Sequence, residues 1–160
     1  MNQLAAELLN AMAKVRMLHV PYKGGGPALT GVIGGQVQLM FGAAAPSLPL
    51  VKAGRLRALA LTSAQPSALY SGLPTMAESL PGYEANLMLG IFVPARTAAS
   101  VVNRLTQTIA AILKTADIRD KFFNAGSEVM ATSPAELAAA VKADMARWGK
   151  VINEAGIRDE

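Results

Sequence analysis

Val20-Pro21-Tyr22-Lys23-Gly24-Gly25-Gly26-Pro27-Ala28 is the stretch on which the reading of this chain turns. The apolar run from Val15 to Pro21 has strand character and ends at a proline. Three glycines follow, then Pro27, a residue favoured in the first helical position because its missing N–H has no partner there anyway. A short helix is expected from Pro27 to about Ile33, closed by Gly34-Gly35. A helix start leaves N–H groups unpaired and carries the positive end of the helix dipole. Such a place holds a carboxylate or phosphate without any charged side chain. Tyr22 and Lys23 stand beside it with a hydroxyl and a cation. The glycines equally suit a plain tight turn between strand and helix, and the residues alone do not separate the two readings.

The pattern repeats downstream. Gln36 to Phe41 alternates apolar and polar and reads as a strand. Phe41-Gly42-Ala43-Ala44-Ala45-Pro46-Ser47 is a second strand-to-helix junction, with a helix expected over Ser47 to Ala53 and closed by Gly54. Leu56 to Leu61 is a nearly continuous apolar run, as in a strand buried on both faces, and ends on Thr62-Ser63. Strands alternating with short helices predict right-handed βαβ units and a parallel sheet, an α/β fold. In such sheets ligands lie beyond the carboxyl ends of the strands, which makes the second junction the natural companion of the first.

Beyond this region the chain reads as mostly helical. Leu4, Leu8 and Met12 share one face of an N-terminal amphipathic helix. Thr75-Met76-Ala77-Glu78 has the form of a capping box, and Pro81-Gly82 stops the brief helix it opens. Tyr83 to Val93 reads as one long extended segment ending at Pro94. Val102, Leu105, Ile109 and Ile112 fall on one face of the helix that follows, and Val129-Met130 has the look of a short strand. Ser133-Pro134-Ala135-Glu136 opens a final helix with an N-cap serine, a proline at the first position and a glutamate closing the box. That helix carries Leu137, Val141, Met145, Trp148 and Ile152 on one stripe and is expected to end near Gly156.

Composition narrows the function. Hydrophobic residues make up 52% of the 160 and charged ones 16%, so the chain is expected to pack rather than remain disordered. The net charge of +4 comes from scattered basic residues without a dense run, which disfavours nucleic acid. There is no cysteine, hence no disulfide and no thiolate metal site. No His, Asp and Glu cluster has metal-ligand spacing. His19, the single histidine, lies in a strand two residues before a proline, and no nucleophile has a base in sequence reach, so an enzyme is not expected. A Walker loop needs Lys and Ser or Thr after its glycines, whereas Lys23 precedes these and Pro27-Ala28 follows. The dinucleotide fingerprint needs a glycine where this chain has Leu29. Met1-Asn2-Gln3-Leu4 opens without basic residues and reads as helix, not as a secretory signal.

The runs His19 to Gly24, Pro27-Ala28-Leu29, Gly34-Gly35-Gln36-Val37 and Met40-Phe41 closely resemble the substrate-binding proteins of tripartite tricarboxylate transporters, the Bug family of periplasmic receptors. The likeness continues through Lys52 to Ser63, Leu73-Pro74-Thr75, Leu80 to Tyr83, Phe92 to Ala95, Ser133-Pro134 and Trp148 to Ile152. It implies one lobe of a type II periplasmic binding protein of about twice this length. Residues 1–93 correspond to the second ligand-binding lobe. Residues 94–160 correspond to a crossover and C-terminal helices that pack on the first lobe, which this chain lacks. The resemblance implies that Tyr22, Lys23, Gly24, Gly25, Gly26, Pro27 and Ala28 grip one carboxylate, while Phe41, Gly42, Ala43 and Ala44 line the floor. It implies no cofactor, a small di- or tricarboxylate ligand, and permease subunits as partners.

Two departures bear on this. Many relatives carry an acid where this chain has Gly42, so amino-acid ligands are disfavoured against plain carboxylates. Arg96 replaces the small residue usual after Pro94-Ala95. The family is periplasmic, but a chain expressed as it stands here, with no leader of its own, is expected to stay cytoplasmic. Partial exposure of the last helix, or self-association that covers it, is expected where the first lobe is missing. The competing readings are a small nucleotide- or phosphate-binding α/β enzyme domain and a truncated gene product without a binding role.

Overall fold

The computed structural model describes residues 1–157. Among them are seven α-helices: α1 (Asn2–Ala13), α2 (Gly25–Ile33), α3 (Ala44–Lys52), α4 (Met76–Ser79), α5 (Ala99–Leu113), α6 (Ala116–Asn124) and α7 (Pro134–Ala155). A 3-10 turn covers Ala68–Tyr70. The chain divides into two compact units. The first holds Met1–Leu87 together with the chain from Gly149 onward; the second is Met88–Trp148.

In the first unit the buried residues among those described are Ala5, Leu29, Gly31, Thr75, Tyr83, Ala85 and Val151. Tyr83 is completely enclosed, and burying a ring of that size stabilises by about 1.5 to 3 kcal/mol relative to leaving it exposed. Its hydroxyl reaches Ala5, on the inward face of α1. The capping box at α4 forms as the sequence predicts: the Thr75 N–H donates to Glu78 Oε1 at 2.9 Å, and the Thr75 hydroxyl reaches the same oxygen at 3.3 Å. Thr75 also makes a parallel bridge with Leu61, where Leu61 N–H donates to Pro74 O at 2.9 Å and Met76 N–H to Leu61 O at 2.8 Å.

That bridge corrects the expectation of a sheet. Among the described residues there is no β-ladder at 15–21, 36–41, 56–61, 83–93 or 129–130, and the parallel βαβ sheet is not observed. Alternation and apolar runs sort side chains to faces, but a strand exists only when a second backbone lies about 4.8 Å away to accept its hydrogen bonds. Apart from the single Leu61–Thr75 bridge, these segments find no such partner among the described residues, and Leu18, Leu59 and Leu89 are exposed.

In the second unit only Trp148 is buried among the described residues. Arg147 lies 5.7 Å from the centroid of its ring and pairs with Asp144 at 2.8 Å. The Ser133 box forms in full, with Ser133 N–H on Glu136 Oε2 at 2.8 Å and Glu136 N–H on Ser133 Oγ at 3.2 Å. On the predicted stripe of α7, Leu137 and Val141 are half-buried, Met145 is exposed and Trp148 is enclosed. The stripe of α5 is likewise incomplete, with Leu105 and Ile112 exposed.

Candidate functional site

Helix α2 begins two residues earlier than Pro27. Gly24 is its N-cap at φ 105, and Gly25 and Gly26 are the first two helical residues, which puts Pro27 third. Proline is still inside the first turn, where its absent N–H leaves nothing unpaired. A γ-turn precedes the helix, with Gly24 N–H on Tyr22 O at 2.8 Å, and Ala28 N–H is the first to turn inward, onto Gly24 O at 3.4 Å. Gly25 and Gly26 thus present the free donors. No side chain caps this start, and its first turn holds no acid. The space around Gly24, Gly25 and Gly26 is open, with nothing within 4 Å of where a Cβ would stand. Lys23 and Gly24 to Pro27 are exposed, Tyr22 and Ala28 half-buried, and Leu29 anchors the helix in the core.

Tyr22 is placed by a residue the sequence reading passed over. Its hydroxyl is 3.5 Å from Gln36 Oε1, and its ring lies across α2 at Gly31. A Cβ on Gly31 would meet Tyr22 Cζ at 2.7 Å, so the tyrosine holds this position only because Gly31 has no side chain. The hydroxyl end of the ring is thereby held on the body of α2, at Gly31, rather than at the glycine start.

The second junction is built in the same way. Helix α3 starts at Ala44, not at Ser47; Ala43 is its N-cap, with no side-chain cap and no acid in the first turn. Gly24-Gly25-Gly26-Pro27-Ala28-Leu29 and Ala43-Ala44-Ala45-Pro46-Ser47-Leu48 are two copies of one pattern: three small residues, proline in the third helical position, a small residue and leucine. Ser47 is drawn into the helix by a bond from its hydroxyl to Ala43 O at 2.8 Å. Gly42 is confined, since a Cβ there would come within 3.1 Å of both Met40 Cε and Ser47 Oγ. Phe41 and Ala44 are half-buried and Gly42 and Ala43 exposed. The repeat was visible in the sequence; its meaning depended on where the helix began.

At the third junction the Ser63 hydroxyl is committed to Gln65 O at 2.7 Å, and Thr62 O accepts from Ala85 N–H at 2.9 Å. His19 is exposed. A depression of about 240 Å³ elsewhere in the first unit is lined by Glu7, Asn10, Ala11, Val151, Glu154 and Ala155. Two carboxylates and no cation line it, which makes it unsuited to an anion. Among the described residues, no three His, Cys, Asp or Glu side chains gather where they would hold a metal.

The candidate features are therefore two uncapped helix starts with small residues, both in the first unit, and one tyrosine packed against the body of the first helix. Residues 1–157 match the family model of the tripartite tricarboxylate transporter family receptor. A protein from the clcB–clcD intergenic region of Pseudomonas knackmussii is 34% identical over 151 residues, which is 93% of this chain and 89% of that one. Among solved structures, the R. palustris protein Rpa4515 with adipate shares 37% identity at a TM-score of 0.84, covering 98% of this chain and 52% of that chain. MatC from Rhodopseudomonas palustris with bound malate shares 28% at 0.77, over 94% and 53% of the two chains. The periplasmic binding protein BugD shares 29% at 0.79, over 99% and 54%. The chain spans about half the length of these solved proteins and of four further curated relatives.

Proposed function

We propose, from the premise that this chain belongs to the tripartite tricarboxylate transporter receptor family, that it is the lobe of a periplasmic solute receptor that grips a small plain carboxylate. The family consists of solute-binding receptors rather than enzymes, and its solved members are periplasmic binding proteins. The observation that carries the reading to particular atoms is the start of α2. Its free N–H groups at Gly25 and Gly26 face open space, uncapped and without an acid nearby. A carboxylate oxygen placed there takes the bonds that an Asp or Ser N-cap takes in an ordinary helix, and the dipole adds to them.

Lys23 adds a cation beside that turn, and Tyr22 adjoins it through the backbone while its hydroxyl is held at Gly31 and Gln36. Ala44 and Ala45 repeat the donor arrangement at α3 for a second carboxylate or for ordered water. Gly42 supplies no acid for a ligand ammonium, so a plain di- or tricarboxylate fits better than an amino acid. Delivery of the bound acid to membrane permease subunits completes the proposed role. Half the length of its solved relatives encloses only part of a ligand, so affinity by this chain alone is weak.

The test is a titration of isotopically labelled chain with adipate and malate, against the matching uncharged diamide and diol, followed by amide chemical shifts. Saturable shifts centred on Gly24 to Ala28 with the acids alone are expected. Shifts elsewhere only, or equal shifts with the uncharged compounds, would remove the assignment.

A further inference from the structure

Between Glu7 and Glu78 the chain holds no Asp or Glu, but six cations: Lys14, Arg16, Lys23, Lys52, Arg55 and Arg57. At ordinary composition a stretch of that length holds roughly eight acids. All six cations are exposed, and none makes an ion pair among the described residues. Elsewhere the charges are mixed, and Lys121 pairs with Asp117, Arg147 with Asp144 and Lys150 with Glu154. Both uncapped helix starts lie inside the acid-free stretch, with Lys23 directly before the N-cap of α2. Lys52 is the last residue of α3, about 12 Å along the helix from Ala44 at its start. Arg55 is folded back on the last turn of α3, its N–H on Leu50 O at 2.9 Å, and Arg57 follows two residues on.

We propose that Lys52, Arg55 and Arg57, together with Lys23, form an electrostatic capture surface that draws acids to the helix starts in proportion to their charge. The inference rests on the carboxylate reading of those starts and adds to it a selection by ligand charge. With no acid in the stretch to offset them, the cations sum to one field. Two unit charges about 12 Å apart in water change an equilibrium by a factor of roughly two. Three cations acting on a dianion therefore multiply to well over tenfold before screening. At 10 mM ionic strength the screening length is about 30 Å, longer than α3, and roughly tenfold survives. At 150 mM it is about 8 Å, shorter than α3, and only about twofold is left. A monoanion feels the square root of each factor, because its charge is half as large.

Amide titration of the full chain with adipate, and with hexanoate as a monoanion of like length, tests this at 10 and 150 mM ionic strength. The adipate Kd is expected to rise several-fold between the two conditions, and the hexanoate Kd by about the square root of that factor. The triple variant Lys52→Gln, Arg55→Gln, Arg57→Gln weakens adipate binding roughly tenfold at 10 mM and no more than about twofold at 150 mM. All three positions are exposed, and circular dichroism confirms that the variant keeps its helices. The charge-preserving set Lys52→Arg, Arg55→Lys, Arg57→Lys binds as the wild type does in both conditions. A glutamine variant that matches the wild type at 10 mM, or loses affinity equally in both conditions, would overturn the proposal and leave the carboxylate site standing. A charge-preserving set as weak as the glutamine one would do the same. Absence of any saturable shift at Gly24 to Ala28 in either condition removes the carboxylate reading itself, and the capture surface with it.

Discussion

The hydroxyl of Tyr83 donates to the carbonyl oxygen of Ala5 at 2.9 Å, joining residues 78 positions apart inside the first unit. That bond secures α1 against a ring with no exposed surface, and it satisfies an oxygen that also serves the helix. Burial pushes the Tyr83 hydroxyl up to about 12, from its ordinary 10.

Tyr83→Phe is expected to lower unfolding stability by about 1 kcal/mol, the net worth of such a bond, while leaving the ring packing in place. Because the folded-state value lies above the unfolded one, the stability linked to this group is complete below pH 10. It is lost as the pH rises from 10 to about 12, where the unfolded chain has released the proton and the folded chain has not. Burial raises Tyr70 in the same direction. Urea midpoints measured across that window should fall for the wild type and fall less for the phenylalanine variant.

Gly31→Ala and Gly149→Ala should have opposite effects. The first drives a methyl group into the Tyr22 ring and costs about 1 to 3 kcal/mol as Tyr22 is expelled. The second adds a methyl within α7 where nothing lies within 4 Å, and stabilises by about 0.5 to 1 kcal/mol. Thermal melts of the two variants distinguish them, and Tyr22 ring resonances should move only in the first.

Gly26→Ala separates fold from function. Gly26 is helical with open surroundings, but it precedes Pro27, whose ring crowds a Cβ on the residue before it, so the helix-propensity gain of alanine is offset and stability should change by less than about 1 kcal/mol. On the carboxylate-grip reading, the same methyl crowds the anion's approach and weakens binding of adipate several-fold. A folded variant with undiminished binding would count against that grip.

Ser133→Ala removes the hydroxyl that accepts the Glu136 N–H and should cost about 1 kcal/mol. Bonds from the Ser133 backbone and hydroxyl hold the Glu136 carboxyl below its ordinary value. The contribution of the box is therefore present above that ordinary value and lost as the pH falls through the depressed one. Far-ultraviolet circular dichroism in acid should show helix loss, at milder acidity in the alanine variant.

The sequence reading succeeded where a feature is local. Both capping boxes and the glycine closures after α2 and α3 involve residues within six positions of one another. Their geometry follows from backbone sterics and side-chain reach alone. The start of α3 lies three residues ahead of the expected Ser47, since Pro46 stands inside the first turn rather than before it, and the third helical position is equally free of an N–H requirement. The pattern shared with α2 was the available signal.

Other features depended on chain segments far apart. Five stretches with strand patterns formed no ladder among the described residues, because alternation orders side chains whereas pairing needs another backbone. Nothing near Tyr22 in sequence marks Gly31 as the residue that makes room for it.

The sequence by itself determined that a helix follows each small-residue stretch and that no acid there competes with an anion, both matters of nearest neighbours, though not the residue at which each helix begins. Only the tertiary structure decided that Tyr83 ties down Ala5 and that Gly31 seats Tyr22. Those are contacts between residues separated along the chain, and local propensity carries no information about which distant groups meet.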